Sequence, residues 1–374
     1  MVRAFHVKDQ VKDEWSSMLN QKPDYRKEQE MKLNLRIREL EKELPSSVTE
    51  FMRSIAASTS SLTRLGYAYD LRLFFRFLIT ERVRFANLET WQFGYDDLAA
   101  VDLKDIEMYQ EYLTTYVKTE ENEGAVTEHF VMNEELGISR KLSALRSFYK
   151  YLYVHEYISE NVTEKIRMPK IKEKPIIYLD REEIIKMIDT INTGEGMTKR
   201  QKKYVENTRV RDLSIIMLLL GTGIRESELV GMDMEDVDLE QQAFVVTRKG
   251  GNQMILYFNE SIRDALADWI TLRSDIEACP GHENALFLSI QKKRITTRAI
   301  QDLVKKYARI AAPLKKKISP HKLRSTYATT LYRKTGDIYQ VSKTLGHKSV
   351  STTKRYTQES EDTFRDASEN VDWV

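Results

Sequence analysis

Cysteine is almost absent: Cys279 is the single one in 374 residues, which excludes an internal disulfide and any cysteine-rich zinc site. Histidine is scarce too. The six are scattered, with none of the HxH or HExxH spacings that bring imidazoles to one metal ion, so chemistry without metal or other cofactor is expected. Long apolar runs are also missing. The longest, LSIIMLLL at 213–220, falls far short of the roughly 20 residues that cross a bilayer. The opening MVRAFHVKDQVKDEW lacks a signal-peptide hydrophobic region. These absences predict a cytoplasmic protein with no membrane partner.

What is present is a hydrophobic content of 41% and a charged content of 31%, the balance of a globular chain long enough for two domains. The formal charge of +2 says little by itself, but its distribution is uneven. Residues 291–356 hold eighteen Lys and Arg against two acids, Asp302 and Asp337. That segment reads as a phosphate-facing surface, or as a solvated basic face neutralised by the acids around 226–240 and after Tyr356.

Residues 25–44 are helix-forming and dense in charge, with Leu33, Ile37, Leu40 and Leu44 at three- and four-residue spacing. They predict a surface helix that suits a partner-docking arm. From Ser46 the pattern becomes several capped amphipathic helices, ending with ISRKLSALRSFYKYLYVHEYI. KTEENEGAVTEHFVMNEE, between the third and fourth, reads as a long polar loop, so this domain is expected to be all helical. The two prolines of MPKIKEKP (168–175) mark a linker. Beyond it come a capped helix at DREEIIKMIDTI, a polar loop around GEGMTKRQKKY and a buried helix at RDLSIIMLLLG. In DVDLEQQAFVVTRKGGNQMILYF two β-rich runs flank Gly250-Gly251, predicting a hairpin with Lys249 beside its turn and Arg248 on the opposite strand face. The chain is then expected to be helical to its end.

Three short stretches stand out. In TGIRESEL (222–229) glycines interrupt the apolar helix, and Glu228 sits three residues after Arg225 on one helical face. In SPHKLRSTYATTLY (319–332) Ser319 can cap, Pro320 suits the first helical position, and His321 and Arg324 project from the first turn, where the helix dipole favours anions. In GHKSVSTTKRYT (346–357) Gly346 allows a tight turn, His347 follows, and Tyr356 lies nine residues on. Each stretch alone reads as an ordinary surface pair, capped helix or packed ring. Their order in the chain, with Lys249 at a hairpin turn between the first and the second, makes an active site the better reading.

In that order the chain resembles a tyrosine recombinase of the phage integrase family, and most closely a Xer-type site-specific recombinase of Gram-positive bacteria. The resemblance implies a mainly α, two-domain architecture. Residues 1–45 are a helical extension, 46–168 a helical, SAM-like core-binding domain and 169–175 a linker. Residues 176–374 form a mostly α catalytic domain with a small β-sheet and a C-terminal tail. It also implies that Arg225, Lys249, His321, Arg324 and His347 form the active-site set, Tyr356 the nucleophile, and Glu228 the support of the first arginine. One departure is Ser325, where many members carry a second histidine.

The implied reaction explains the residue types. Tyr356 attacks the scissile phosphate in line, forms a 3′-phosphotyrosyl bond and frees a 5′-hydroxyl that later rejoins the partner strand. Arginine forks suit the charge on the non-bridging oxygens. His321 is the favoured base for the tyrosine proton, and Lys249 fits the acid for the leaving 5′-oxygen, or else only touches a phosphate. Implied partners are duplex DNA with specific recombination sites, a homotetramer on synapsed DNA, and a DNA translocase or accessory bending factor, in the nucleoid. Chromosome-dimer resolution and mobile-element integration or excision both stay open. So does a regulatory or architectural DNA-binding protein on the same fold that has lost the chemistry. The acidic tail 361–374 is expected to dock on a neighbouring subunit.

Overall fold

The structure, a computed structural model, describes residues 25–122, 125–172, 175–248, 251–315, 317–346, 349–350, 353 and 356. Lys249, His347 and the tail 361–374 therefore lie outside the described residues. The chain divides into two compact units, Met1–Glu173 and Lys174–Val374.

The first unit is built from helices α1 (Tyr25–Glu41), α2 (Ser46–Ser54), α3 (Ser61–Glu81), α4 (Tyr95–Ala99), α5 (Leu103–Tyr112) and α6 (Glu135–Val154). Ser60 and Asp102 cap α3 and α5 by accepting backbone N–H bonds from Thr63 and Asp105. The core is aromatic: Phe74 of α3 packs edge-on to Tyr109 of α5 and Tyr149 of α6, and all three are fully buried. Helix α1 is not a free arm on its inner face. Its spaced apolar residues Ile37 and Leu40 are buried, and it packs along α3, while Met31 and Leu35 face outward.

The expected loop between α5 and α6 is instead an antiparallel hairpin, β1 (Thr115–Asn122) with β2 (Ala125–Met132), in register from Thr115 opposite Met132 to Asn122 opposite Ala125. The all-helical expectation is corrected accordingly. Glutamates dilute the apolar content of both strands, so alternation is weak, yet the β-branched and aromatic residues suffice once the strands pair.

The second unit contains α7 (Arg181–Thr193), α8 (Lys199–Glu206), α9 (Arg209–Thr222), α10 (Glu226–Val230), β3 (Val237–Asp238), β4 (Ala243–Thr247), β5 (Gln253–Tyr257), α11 (Glu260–Ser274), α12 (Thr297–Ala311), α13 (Pro320–Thr335) and α14 (Ile338–Leu345). The strands form one antiparallel sheet in the order β3-β4-β5. Apolar α9 is the central helix and packs against α7, α11 and α13. Part of the loop expected around GEGMTKRQKKY is helix α8, started by a capping box in which Thr198 and Gln201 exchange bonds to each other's backbone N–H. The segment 275–296 is not helical. Pro280 and Gly281 break it, and it runs through single bridges, Asp233 to Ala285 and Leu288 to Arg294. Buried Arg273 holds it by donating to the carbonyls of Ala285 (2.9 Å) and Glu283 (2.6 Å). Among the described residues no helix is long and apolar enough to cross a membrane.

Candidate active site

Helix α9 ends at Gly223, whose φ of +61° belongs to the left-handed region. A Cβ there would stand 2.5 Å from the Tyr327 ring, so both conformation and space require glycine. The turn it makes places Arg225 at the start of α10. The Glu228 carboxylate then reaches back twice, accepting from the Arg225 backbone N–H at 3.0 Å and from its Nη1 at 2.7 Å. Glu228 is buried and the Arg225 side chain is about a third exposed, at 34%. The pair predicted by its i, i+3 spacing thus forms, with the guanidinium held at the surface by a buried acid.

Arg324 comes from the first turn of α13. Pro320 occupies the first turn as expected, but the Ser319 side chain makes no capping bond. Arg324 is buried and spans two loops, with Nη1 donating to the Gly223 carbonyl and Nη2 to the Leu345 carbonyl, both at 2.5 Å. Each of these nitrogens carries a second hydrogen, so the fork can hold carbonyls and still donate to an oxyanion. Burial pushes the Arg324 pKa down to about 10; repulsion from Arg225 adds to this, and attraction to Glu228 and Tyr356 opposes it. A site that makes its own cation uncomfortable favours an incoming anion.

His321 lies one turn before Arg324 and is exposed. Ser325, the residue standing where a second histidine is common, is buried and donates to the His321 carbonyl at 3.1 Å. Its hydroxyl is turned into its own helix. Tyr356 is only 4% exposed and packs with Ala328, Val341 and Leu345. Arg225, Glu228, Arg324 and Tyr356, drawn from separate stretches of the chain, are therefore brought together, with His321 at the head of the helix that supplies Arg324.

One participant was missed. Arg248 is buried beside the cluster, with Nη1 donating to the Leu345 carbonyl, Nη2 to the Thr344 carbonyl at 2.9 Å, and Nη1 3.9 Å from Glu228. The expectation set Arg248 on the strand face opposite Lys249, which lies outside the described residues; Arg248 itself follows β4, whose residues Ala243–Val246 are buried on both faces. The basic segment 291–356 also needs correction as a uniform surface. Arg294 donates to the carbonyls of Val230 and Met232, Lys306 pairs with buried Asp212, and Lys315 pairs with Asp180 and Glu183. Lys292, Lys293, Lys305 and Arg309 are exposed.

The phage integrase family pattern matches residues 178–362, which include every one of these positions. Tyrosine recombinase XerC of Caldanaerobacter subterraneus subsp. tengcongensis is 35% identical over 333 residues, covering 86% of this chain and 86% of its own. Tyrosine recombinase XerS of Streptococcus thermophilus is 30% identical over 362 residues, 90% of this chain and 98% of that one. Among solved structures, the XerH recombinase bound to palindromic difH substrate has a TM-score of 0.60 at 20% identity, covering 83% of this chain and 79% of that chain. The Tn1549 transposon integrase in complex with circular intermediate DNA has a TM-score of 0.58 at 20% identity, covering 86% and 98%. These two likenesses speak to the fold, and the sequence relatives speak to the lineage. The chain belongs to the phage integrase family, as a Xer-type tyrosine recombinase.

Proposed function

We propose that this chain binds duplex DNA at specific recombination sites and exchanges strands through a covalent 3′-phosphotyrosyl intermediate on Tyr356. The observation that carries this reading is the clustering of two guanidinium groups, Arg225 held by buried Glu228 and Arg324 held by the Gly223 and Leu345 carbonyls, with Tyr356 beside them. The arginines bind the non-bridging oxygens of the scissile phosphate, and Glu228 holds Arg225. His321 takes the Tyr356 proton. Lys249 gives a proton to the leaving 5′-oxygen, and His347 donates to the phosphate. Because the phosphodiester energy is kept in the tyrosyl bond, no nucleotide cofactor is required.

In the same reading residues 46–168 are the core-binding domain and 176–374 the catalytic domain, each gripping one face of the duplex, with 169–175 as the linker. Four copies assemble on two synapsed sites in the nucleoid, assisted by a DNA translocase or a bending factor, and the tail 361–374 couples neighbours. Chromosome-dimer resolution and integration or excision of an element use the same strand chemistry. The relatives named XerC and XerS and the neighbours solved on recombination DNA support the DNA partner.

The test takes the genomic segment that the protein protects from nuclease and rebuilds it as a nicked duplex that loses its 5′-end after cleavage. The wild type is expected to accumulate a protein–DNA adduct and Tyr356→Phe none. Absence of an adduct with wild type, at a site it demonstrably occupies, contradicts the proposal and favours a binding protein without chemistry.

A further inference from the structure

Arg248 is the buried cation that the mechanism above leaves without a task. It stands at the C-terminal end of β4, where the hairpin turn begins. Its backbone N–H donates to the Asn252 carbonyl at 2.7 Å, and its own carbonyl accepts from the Gly251 N–H at 3.0 Å. Its backbone thus closes the β4–β5 turn while its side chain leaves the hairpin altogether. The guanidinium binds the carbonyls of Thr344 and Leu345, the last residues of α14, where the helix dipole is negative and carbonyls lack helical partners. The Leu345 carbonyl is shared, since it also accepts from Arg324.

The next residue of the chain at this junction, Gly346, has φ +61°, and a Cβ there would stand 2.7 Å from Arg248 Nη1. The backbone conformation therefore favours glycine, and a Cβ would fit only if the guanidinium moved. Met254 Sδ lies 3.3 Å from Nη2 on the returning strand, and Glu228 faces the guanidinium from α10. Burying a cation is costly, and burial lowers its pKa against the pull of Glu228. A shorter apolar residue would close a turn equally well, so the fork has a use that requires two carbonyl ligands at once.

We propose that Arg248 is a positioning residue that locks the β4–β5 turn to the end of α14, so that Lys249, the residue that follows it, is delivered to the scissile phosphate. The proposal rests on the reading of Lys249 as the general acid. In the step it serves, the Tyr356 oxygen forms a bond to phosphorus, the P–O5′ bond breaks, and a proton passes from the Lys249 ammonium to O5′. Arg248 touches neither phosphate nor leaving group. Its effect is confined to how well the acid is placed, and a leaving group that needs no proton bypasses it.

The experiment measures single-turnover adduct formation by full-length wild type, Arg248→Ala, Arg248→Lys, Gly346→Ala and Lys249→Ala, on the nicked duplex with either oxygen or sulfur at the 5′-bridging position. Amide hydrogen exchange is followed across 249–252 and 344–346. On oxygen, Arg248→Ala is expected to be slower by about 10²-fold, the lower range for a lost general acid. On sulfur it should return to within a few-fold of wild type, with DNA affinity unchanged within about twofold. Arg248→Lys, which keeps charge without the fork, should fall between. Gly346→Ala, which displaces the guanidinium from the other side, should reproduce the same pattern, and either of these two decides if Arg248→Ala does not fold. Faster exchange in both segments marks the broken lock. Equal slowing on oxygen and sulfur, wild-type rates on oxygen, or unchanged exchange would each overturn the proposal. If sulfur fails to rescue Lys249→Ala while exchange is accelerated in the Arg248 variants, the general-acid reading falls and the lock itself stands.

Discussion

Replacing Glu228 by glutamine isolates the charge at the centre of the arginine cluster. The amide oxygen of glutamine can still accept from the Arg225 backbone N–H, now bonded at 3.0 Å, so the start of α10 is preserved. What disappears is a buried negative charge 2.7 Å from Arg225 Nη1 and 3.9 Å from Arg248 Nη1. At an effective dielectric near 20, unit charges about 4 Å apart attract by about 4 kcal/mol. Part of this is returned, because the amide is cheaper to bury than the carboxylate. Breaking a buried pair costs about 3–5 kcal/mol, and the partial exposure of Arg225 screens its share, which sets the expected loss near the low end, about 3 kcal/mol. For a domain of this size each kcal/mol moves the midpoint by about 2–4 °C, so the transition of the second unit should fall by about 6–12 °C. Thermal unfolding followed by circular dichroism, with and without inorganic phosphate, is the assay. Phosphate should stabilise Glu228→Gln more than wild type, because it replaces the missing negative charge. Glu228→Ala should lose about 1 kcal/mol more through the lost cap. A Glu228→Gln midpoint within about 1–2 °C of wild type would refute the reasoning, because a charge worth so little cannot be organising the cluster.

Two further outcomes are expected. Arg324→Lys keeps the charge but cannot span the Gly223 and Leu345 carbonyls while donating to phosphate, so cleavage should slow by about 10²–10³-fold in the adduct assay while site binding changes far less. In the first unit, Arg140 grips buried Asp70 through both carboxylate oxygens, one at 2.8 Å. Burial nevertheless raises the Asp70 pKa, with Arg140 opposing, so the ionised form is a liability above that pKa and protonation relieves it. Arg140→Ala raises it further. The variant should be less stable by about 2 kcal/mol near neutral pH, between exposed and buried pairs, with a deficit that shrinks as pH falls toward the Asp70 pKa. Chemical denaturation at two pH values checks this, and a deficit independent of pH would contradict it.

How much of this was legible in the sequence depends on range. The longer helices of the first unit and the arginine–glutamate pair rest on contacts three or four residues apart, and spacing with capping residues predicted them, whereas the single-turn helix α4 (Tyr95–Ala99) was not predicted. The capping box that starts α8 was equally local, Thr198 with Gln201, but the dense charge of that stretch concealed it. The hairpin β1–β2 was missed for a related reason: its strands expose Val117, Phe130 and Met132 and carry several glutamates, so no buried face imposed an alternation. Arg248 was illegible for the opposite reason. Its partners Thr344 and Leu345 lie almost a hundred residues away, and nothing in RKGGN indicates that a side chain at a turn will leave its hairpin to bind the end of another helix. Tyr356 could be singled out by the order of the motifs, yet its packing against Val341 and Leu345 is visible only in the fold.

The most direct test of the central claim is to trap the adduct on the nicked duplex, digest both protein and DNA, and map the modified peptide by mass spectrometry. A nucleotide joined through its 3′-phosphate to Tyr356 is the predicted product. An adduct on any other residue, or one that persists in Tyr356→Phe, would contradict the account.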